Sequence, residues 1–161
     1  MTETQRESFF TPSEPAMYCD RLRCGNEGEK PPLVLVHGAG HNGACYLQTP
    51  DGRPGWAQYF AQAGYDVYVP DWPGMGRSGR MEPSRLTGGI VAAALGVLLE
   101  RLGRPAALLT HSMSGAYGWK VREISSPSPK FWRRATITSW SGGARSSGGW
   151  ISTGRVCLKT V

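Results

Sequence analysis

A chain of 161 residues, 40% of them hydrophobic, is large enough to bury one core, and it holds no apolar run long enough to span a bilayer. Its net charge of +6 is unevenly placed: residues 1–123 carry twelve basic and twelve acidic side chains, and the excess comes from Lys130, Arg133, Arg134, Arg145, Arg155 and Lys159. An electrically balanced body lacks the continuous basic face of a nucleic-acid-binding domain, so neither a nucleic acid nor a membrane is expected as a partner.

Residues 1–16 read as a loose lead-in. The start is polar and acidic, unlike a signal peptide, which makes the cytoplasm the expected location. Met17 to Cys24 alternates weakly and reads as an early strand followed by a turn. Leu33-Val34-Leu35-Val36 is a continuous apolar run between Pro31-Pro32 and His37-Gly38, the pattern of a parallel strand buried on both faces. Trp56 to Ala63 predicts a short helix ended by Gly64, and Val67-Tyr68-Val69 a second buried strand closed by Pro70 and Asp71. After the loop Trp72–Gly79, apolar residues recur at helical spacing from Ser84 to Leu102. Ser84 is the expected N-cap, Gly88-Gly89 weakens the first turns, and Gly103 with Pro105 supplies the stop. A strand at 106–109 and a helix from Ala116 to Glu123 follow. Alternating strands and helices imply an α/β fold with right-handed crossovers, a mostly parallel sheet and flanking helices.

Beyond Glu123 the texture changes: residues 124–161 hold eight Ser, five Gly, three Trp and six basic residues without a clear period. That stretch reads as a foreign, basic Ser/Gly-rich tail, expected to be disordered, as though the frame or splice had changed. The expected organisation is thus a lead at 1–16, a body at 17–123 and a tail at 124–161. Cys19, Cys24, Cys45 and Cys157 lack metal-ligand spacing. Free thiols are expected, although Cys19 and Cys24 could meet across a hairpin.

The chemistry is concentrated at Leu109-Thr-His-Ser-Met-Ser-Gly115, which joins the predicted strand to the predicted helix. A serine on such a turn has its hydroxyl lifted clear of the sheet, with the next backbone N–H aimed where an oxyanion would form. Three features occur in order: Leu-Val-Leu-Val-His37-Gly38-Ala39-Gly40, Asp71-Trp-Pro-Gly74-Met-Gly76-Arg77-Ser78, and Thr110-His111-Ser112-Met113-Ser114-Gly115. Together they resemble the α/β-hydrolase superfamily, within it the esterase-like members whose elbow is written His-Ser-x-Ser-Gly. The resemblance covers residues 17–123, the front half of that fold.

The resemblance implies Ser112 as nucleophile, with the Met113 and Ala39 N–H groups forming the oxyanion hole. His37, Gly38, Gly40, His111, Ser114 and Gly115 would support them, and the Gly74–Ser78 loop would pack nearby without doing chemistry. His41 is expected in a loop or pocket. No metal and no organic cofactor is implied, and the substrate would be small, neutral and ester-like. Thr110 and Ser114 stand where the general elbow pattern has glycine.

No acid or base is found for Ser112, because the chain holds no Asp, Glu or His after Glu123. In this fold both follow the serine. The expectation is therefore a fold truncated after the nucleophile helix, open to self-association along an apolar sheet edge, and inactive or strongly impaired as an esterase. A non-catalytic fragment that binds a ligand or partner chain is one alternative. Another is a dinucleotide-binding oxidoreductase, from Gly38-x-Gly40-x-x-Gly43 followed by Asp71. Against the latter, Asp71 lies far beyond the glycines, and Thr49–Gly55 is rich in helix breakers.

Overall fold

The buried apolar runs become the middle of a six-stranded sheet. A computed structural model describes residues 3–25, 30–124 and 137–140. In chain order the elements are β1 (Thr4–Phe10), β2 (Tyr18–Cys24), β3 (Leu33–Val36), α1 (Ala44–Leu47), α2 (Trp56–Gln62), β4 (Val67–Pro70), a 3-10 turn (Pro83–Arg85), α3 (Gly88–Leu102), β5 (Ala107–His111), α4 (Ser114–Ile124) and β6 (Ile137–Trp140). The sheet order is β1-β2-β4-β3-β5-β6. β4, β3, β5 and β6 pair in parallel, whereas β1–β2 and β2–β4 are antiparallel.

Strand periodicity divides the core between two faces. Leu33, Leu35, Val67, Val69 and Leu109 pack with Tyr46 and Ala57 of α1 and α2. Their alternate neighbours Val34, Val36, Tyr68 and Leu108 pack with Leu95 and Leu98 of α3 and Val121 of α4. Both faces are covered, which is why β3 and β4 are apolar at every position instead of alternating.

The lead-in is not loose as expected. Residues 4–10 form an edge strand paired along its whole length with β2. Their side chains are mostly exposed, so no apolar period marked them. Cys19 and Cys24 both lie on β2 and cannot meet across a hairpin; neither they nor Cys45 form a disulfide among the described residues, and Cys157 lies outside them. Helix α3 starts at Gly88 and not at Ser84, because Pro83–Arg85 forms a separate 3-10 turn and Thr87 is the cap, accepting the Ile90 N–H at 3.3 Å. Replacing Thr87 by alanine is expected to cost about 1 kcal/mol in chemical denaturation. Gly103 supplies the expected stop with φ +65.

The sheet does not end at β5. β6 pairs with it from Leu108↔Ile137 to His111↔Trp140, so residues 137–140 of the tail expected to be disordered form a strand, and the outer edge of β5 is covered. The remainder of that tail lies outside the described residues.

Candidate active site

Chain direction builds a crevice at the carboxyl ends of β3 and β5. From β3 the chain leaves toward α1 and α2 on one face, and from β5 it leaves into α4 on the other. Adjacent parallel strands whose exits diverge leave a gap, the usual place for a ligand in an open α/β sheet. The turn 37–43 borders this gap on one side and Ser112 on the other.

Ser112 sits between the last residue of β5 and the start of α4 with φ +57, the one positive φ of a non-glycine among the described residues. An L-residue is held in that region only when its surroundings enforce it. The enforcement is visible. Gly115 N–H donates to the Ser112 carbonyl at 3.0 Å, opening the helix. Ser114, fully buried, accepts the His111 N–H at 2.7 Å while its hydroxyl lies 2.9 Å from both the Val36 and His111 carbonyl oxygens. Ser114 therefore does more than keep the turn small, since it stitches the elbow to the end of β3. Ser112 itself is exposed, and no described residue hydrogen-bonds its Oγ.

Gly38 brings the two turns together. A Cβ there would lie 2.9 Å from His111 Nδ1 and 3.2 Å from Ser112 Cβ, so only glycine lets the turn after β3 approach the elbow this closely. Ala39 and Gly40 are exposed at the mouth, Gly40 with φ +73, and Met113 is exposed on the facing side.

His37 is buried and fully occupied. Its Nε2 accepts the Trp72 N–H at 3.0 Å, which leaves the proton on Nδ1, and that group donates to the Gly38 carbonyl at 2.8 Å. The ring stacks on Trp72 with centroids 4.6 Å apart. Burial pushes its pKa below the ordinary histidine value, so it stays neutral as a brace between two loops. Neither nitrogen is available to accept a serine proton.

Asp71 is buried as well. Its Oδ1 accepts the Gly43 N–H at 2.6 Å, and its Oδ2 accepts the Arg77 N–H and Nε–H, both at 2.9 Å. Burial alone would raise its pKa. The Arg77 guanidinium and the two N–H groups outweigh this and hold the carboxyl below the usual carboxylate range. Arg77 also reaches Asp20 at 2.8 Å, and Asp20 is paired with Arg6 of β1 at 3.0 Å. The sequence offered the charges but not this network, because its members come from three separate strands and loops.

A cleft of about 200 Å³ opens beside the elbow, walled by His41, Cys45, Tyr46, Trp56, Leu109 and His111. His41 thus lies in a pocket, as expected, with its ring 6.0 Å from that of His111. The named walls hold no Lys, Arg, Asp or Glu. Desolvation pushes the Cys45 thiol up to about 11, so it remains protonated at neutral pH. Among the described residues no group of three or more His, Cys, Asp or Glu is placed to hold a metal ion, and no helix is long and apolar enough to cross a membrane.

The geometry corrects the dinucleotide alternative. Gly43 opens only the four-residue α1, its N–H is already taken by Asp71, and Asp71 is locked to Arg77 and not free for a ribose.

Comparison with known proteins gives the same architecture. Residues 33–153 match the family described as "Alpha/beta hydrolase family". That match includes the residues of β6. A probable secreted lipase of a fungal species (Fungal sp.) is 28% identical over 162 aligned residues, covering 65% of this chain and 44% of the lipase. A 2-hydroxy-6-oxo-6-phenylhexa-2,4-dienoate hydrolase of Burkholderia cepacia is 28% identical, covering 72% of this chain and 40% of that enzyme. The chain thus spans less than half the length of these curated relatives. Among solved structures, a bacterial esterase superposes with a TM-score of 0.68 at 21% identity, over 85% of this chain and 68% of its own. An epoxide hydrolase of Vigna radiata superposes with a TM-score of 0.63 at 18% identity, over 84% and 40%. These two likenesses concern the fold.

Proposed function

The chain belongs to the alpha/beta hydrolase family, and on that premise we propose that Ser112 is the nucleophile of a carboxylic-ester hydrolase working through an acyl-serine. In the first half-reaction Oγ attacks the ester carbonyl carbon and gives up its proton to a base, and the carbonyl oxygen becomes an oxyanion. The Ala39 and Met113 N–H groups are the proposed donors to it. Collapse expels the alcohol, which takes a proton, and water then repeats the sequence on the acyl-serine. The observation that carries this reading is the enforced φ of +57 at Ser112, at the mouth of the crevice and against Gly38.

A cleft whose walls hold no Lys, Arg, Asp or Glu supports a small neutral ester. An apolar cavity of about 150 Å³ accommodates benzene, so about 200 Å³ between Trp56 and His111 gives room for one aryl ring or a short acyl chain. Of the relatives' names, that of the lipase fits an ester substrate.

Turnover by these 161 residues alone is proposed to be strongly impaired. No Asp, Glu or His follows Glu123 in this sequence, and no described residue hydrogen-bonds the Ser112 Oγ. Without a base, only oxyanion stabilisation and binding remain, a residual of roughly 10³–10⁴ over water. The test is 4-nitrophenyl acetate hydrolysis by the full chain and by Ser112→Ala. The expected result is slow nitrophenolate release above the buffer rate, lost in the variant. Fast multiple turnover would contradict the impairment, and equal rates in both proteins would contradict the nucleophile.

A further inference from the structure

We propose that Asp71 is the positioning residue of the oxyanion turn, holding its far end through the Gly43 N–H while its neighbour Trp72 holds the near end through His37. The proposal rests on the reading of Ala39 as an oxyanion donor, but its geometry stands independently. Two consecutive residues at the exit of β4 grip both ends of the turn 37–43: the Trp72 main-chain N–H reaches His37 Nε2 at 3.0 Å, and the Asp71 Oδ1 takes the Gly43 N–H at 2.6 Å. Between these anchors Ala39 and Gly40 are exposed, with Gly40 at a φ of +73. A turn held only at its start could swing its amides away from the elbow. A turn held at both ends presents them in one place.

The site is built for a carboxylate. Gly43 N–H, Arg77 N–H and Arg77 Nε–H all donate to it, with Arg77 Nη2 at 3.3 Å, so both oxygens are occupied. An imidazole would find no free lone pair there, which separates this role from that of a catalytic acid. Glycines clear the way for these contacts. A Cβ at Gly43 would lie 2.8 Å from Asp71 Oδ1, and one at Gly76 would collide with the carboxylate outright. Arg77 in turn is oriented by Asp20, which Arg6 and Ser8 of β1 also hold, so the exposed edge strand supports the clamp from outside. An asparagine would keep one acceptor for Gly43 but lose the fork to Arg77.

The test uses the full 161-residue chain with Asp71→Asn and Asp71→Ala, read in two ways. Amide hydrogen exchange is expected to rise at residues 38–43 in both variants, more in the alanine, with Val34 and Leu35 of β3 unchanged. Labelling of Ser112 by an alkyl fluorophosphonate is expected to lose tenfold or more in its limiting rate, since about 1 Å of misplacement costs about 10²-fold. Its half-saturating concentration should move less than twofold, a split that a general loss of folded protein would not give. Unchanged exchange at 38–43, or an unchanged limiting rate in a folded Asp71→Ala, would overturn the proposal. If the unsubstituted chain does not label, the reading of Ser112 fails, and the exchange data alone decide the role of Asp71. Should both Asp71 variants fail to fold, Arg77→Lys, which keeps the carboxylate and the charge but loses the fork, is expected to raise exchange at 38–43. No change there would overturn the proposal.

Discussion

Ser112→Gly is expected to stabilise the chain by about 1 kcal/mol while removing every covalent reaction at this position. The residue sits at φ +57, where an L side chain is penalised by about 1–2 kcal/mol and glycine is not. Part of that relief is offset by the greater freedom of glycine in the unfolded chain. No described residue hydrogen-bonds the serine hydroxyl, so its loss leaves no buried partner unsatisfied. Ser112→Ala separates the two effects: it also lacks the nucleophile, yet it keeps the Cβ and therefore the strain. In denaturant unfolding the midpoint should rise for glycine and stay near that of the unsubstituted chain for alanine, with the slope unchanged in both. A serine kept where glycine would be more stable is the pattern of a functional constraint.

Arg77→Met has the opposite sign and a larger size, a loss of about 3 kcal/mol. Asp20 and Asp71 are fully buried, and Arg77 bridges them at 2.8 and 2.9 Å. Removing the cation leaves two buried carboxylates with reduced compensation. The low end of the usual range applies, because Arg77 is 36% exposed and Asp20 retains Arg6 and Ser8. The effect also has a pH signature. Burial opposes ionisation of both carboxyls, but Arg6, Ser8 and Arg77 at Asp20, and Arg77 with Gly43 at Asp71, hold them below the ordinary value. A carboxyl depressed on folding contributes stability that is present above its unfolded value, about 4, and is lost as pH falls through the lower folded value. The gap between Arg77→Met and the unsubstituted chain is therefore expected to be widest near neutrality and to narrow below about pH 4. Urea unfolding at several pH values measures it. A gap independent of pH would show that lost packing of the arginine stem dominates.

What the sequence revealed and what it hid follow from where the information resides. β3 is legible to its last residue because both of its faces are buried and proline bounds it. The stop of α3 is legible because Gly103 must adopt φ +65. Ser112 is legible because the elbow is a local pattern of consecutive residues. By contrast β1 carries mostly exposed side chains, and its strand character comes from pairing with β2, a long-range property. β6 lies in a stretch without period and gains its identity from the edge of β5. The start of α3 is not legible, because Ser84 and Thr87 are both good caps and the choice between them is made by the 3-10 turn at Pro83–Arg85. At the site, the hydroxyl of Ser114 reaching Val36 and the carboxylate of Asp71 reaching Gly43 join residues far apart in sequence. No spacing rule marks such contacts. Opposite charges at Asp71 and Arg77 flanking a glycine-rich loop were the one available hint.

The most direct measurement is peptide mass mapping after incubation of the chain with an alkyl fluorophosphonate. The fold places one serine on an enforced strand-to-helix turn beside a glycine-gated crevice, and the expected result is a slowly formed single phosphonyl adduct on the peptide containing Ser112, at the reduced rate of a serine without a base, absent from Ser112→Ala. An adduct on another serine, or a Ser112 peptide that stays unmodified while the protein is folded, would contradict it.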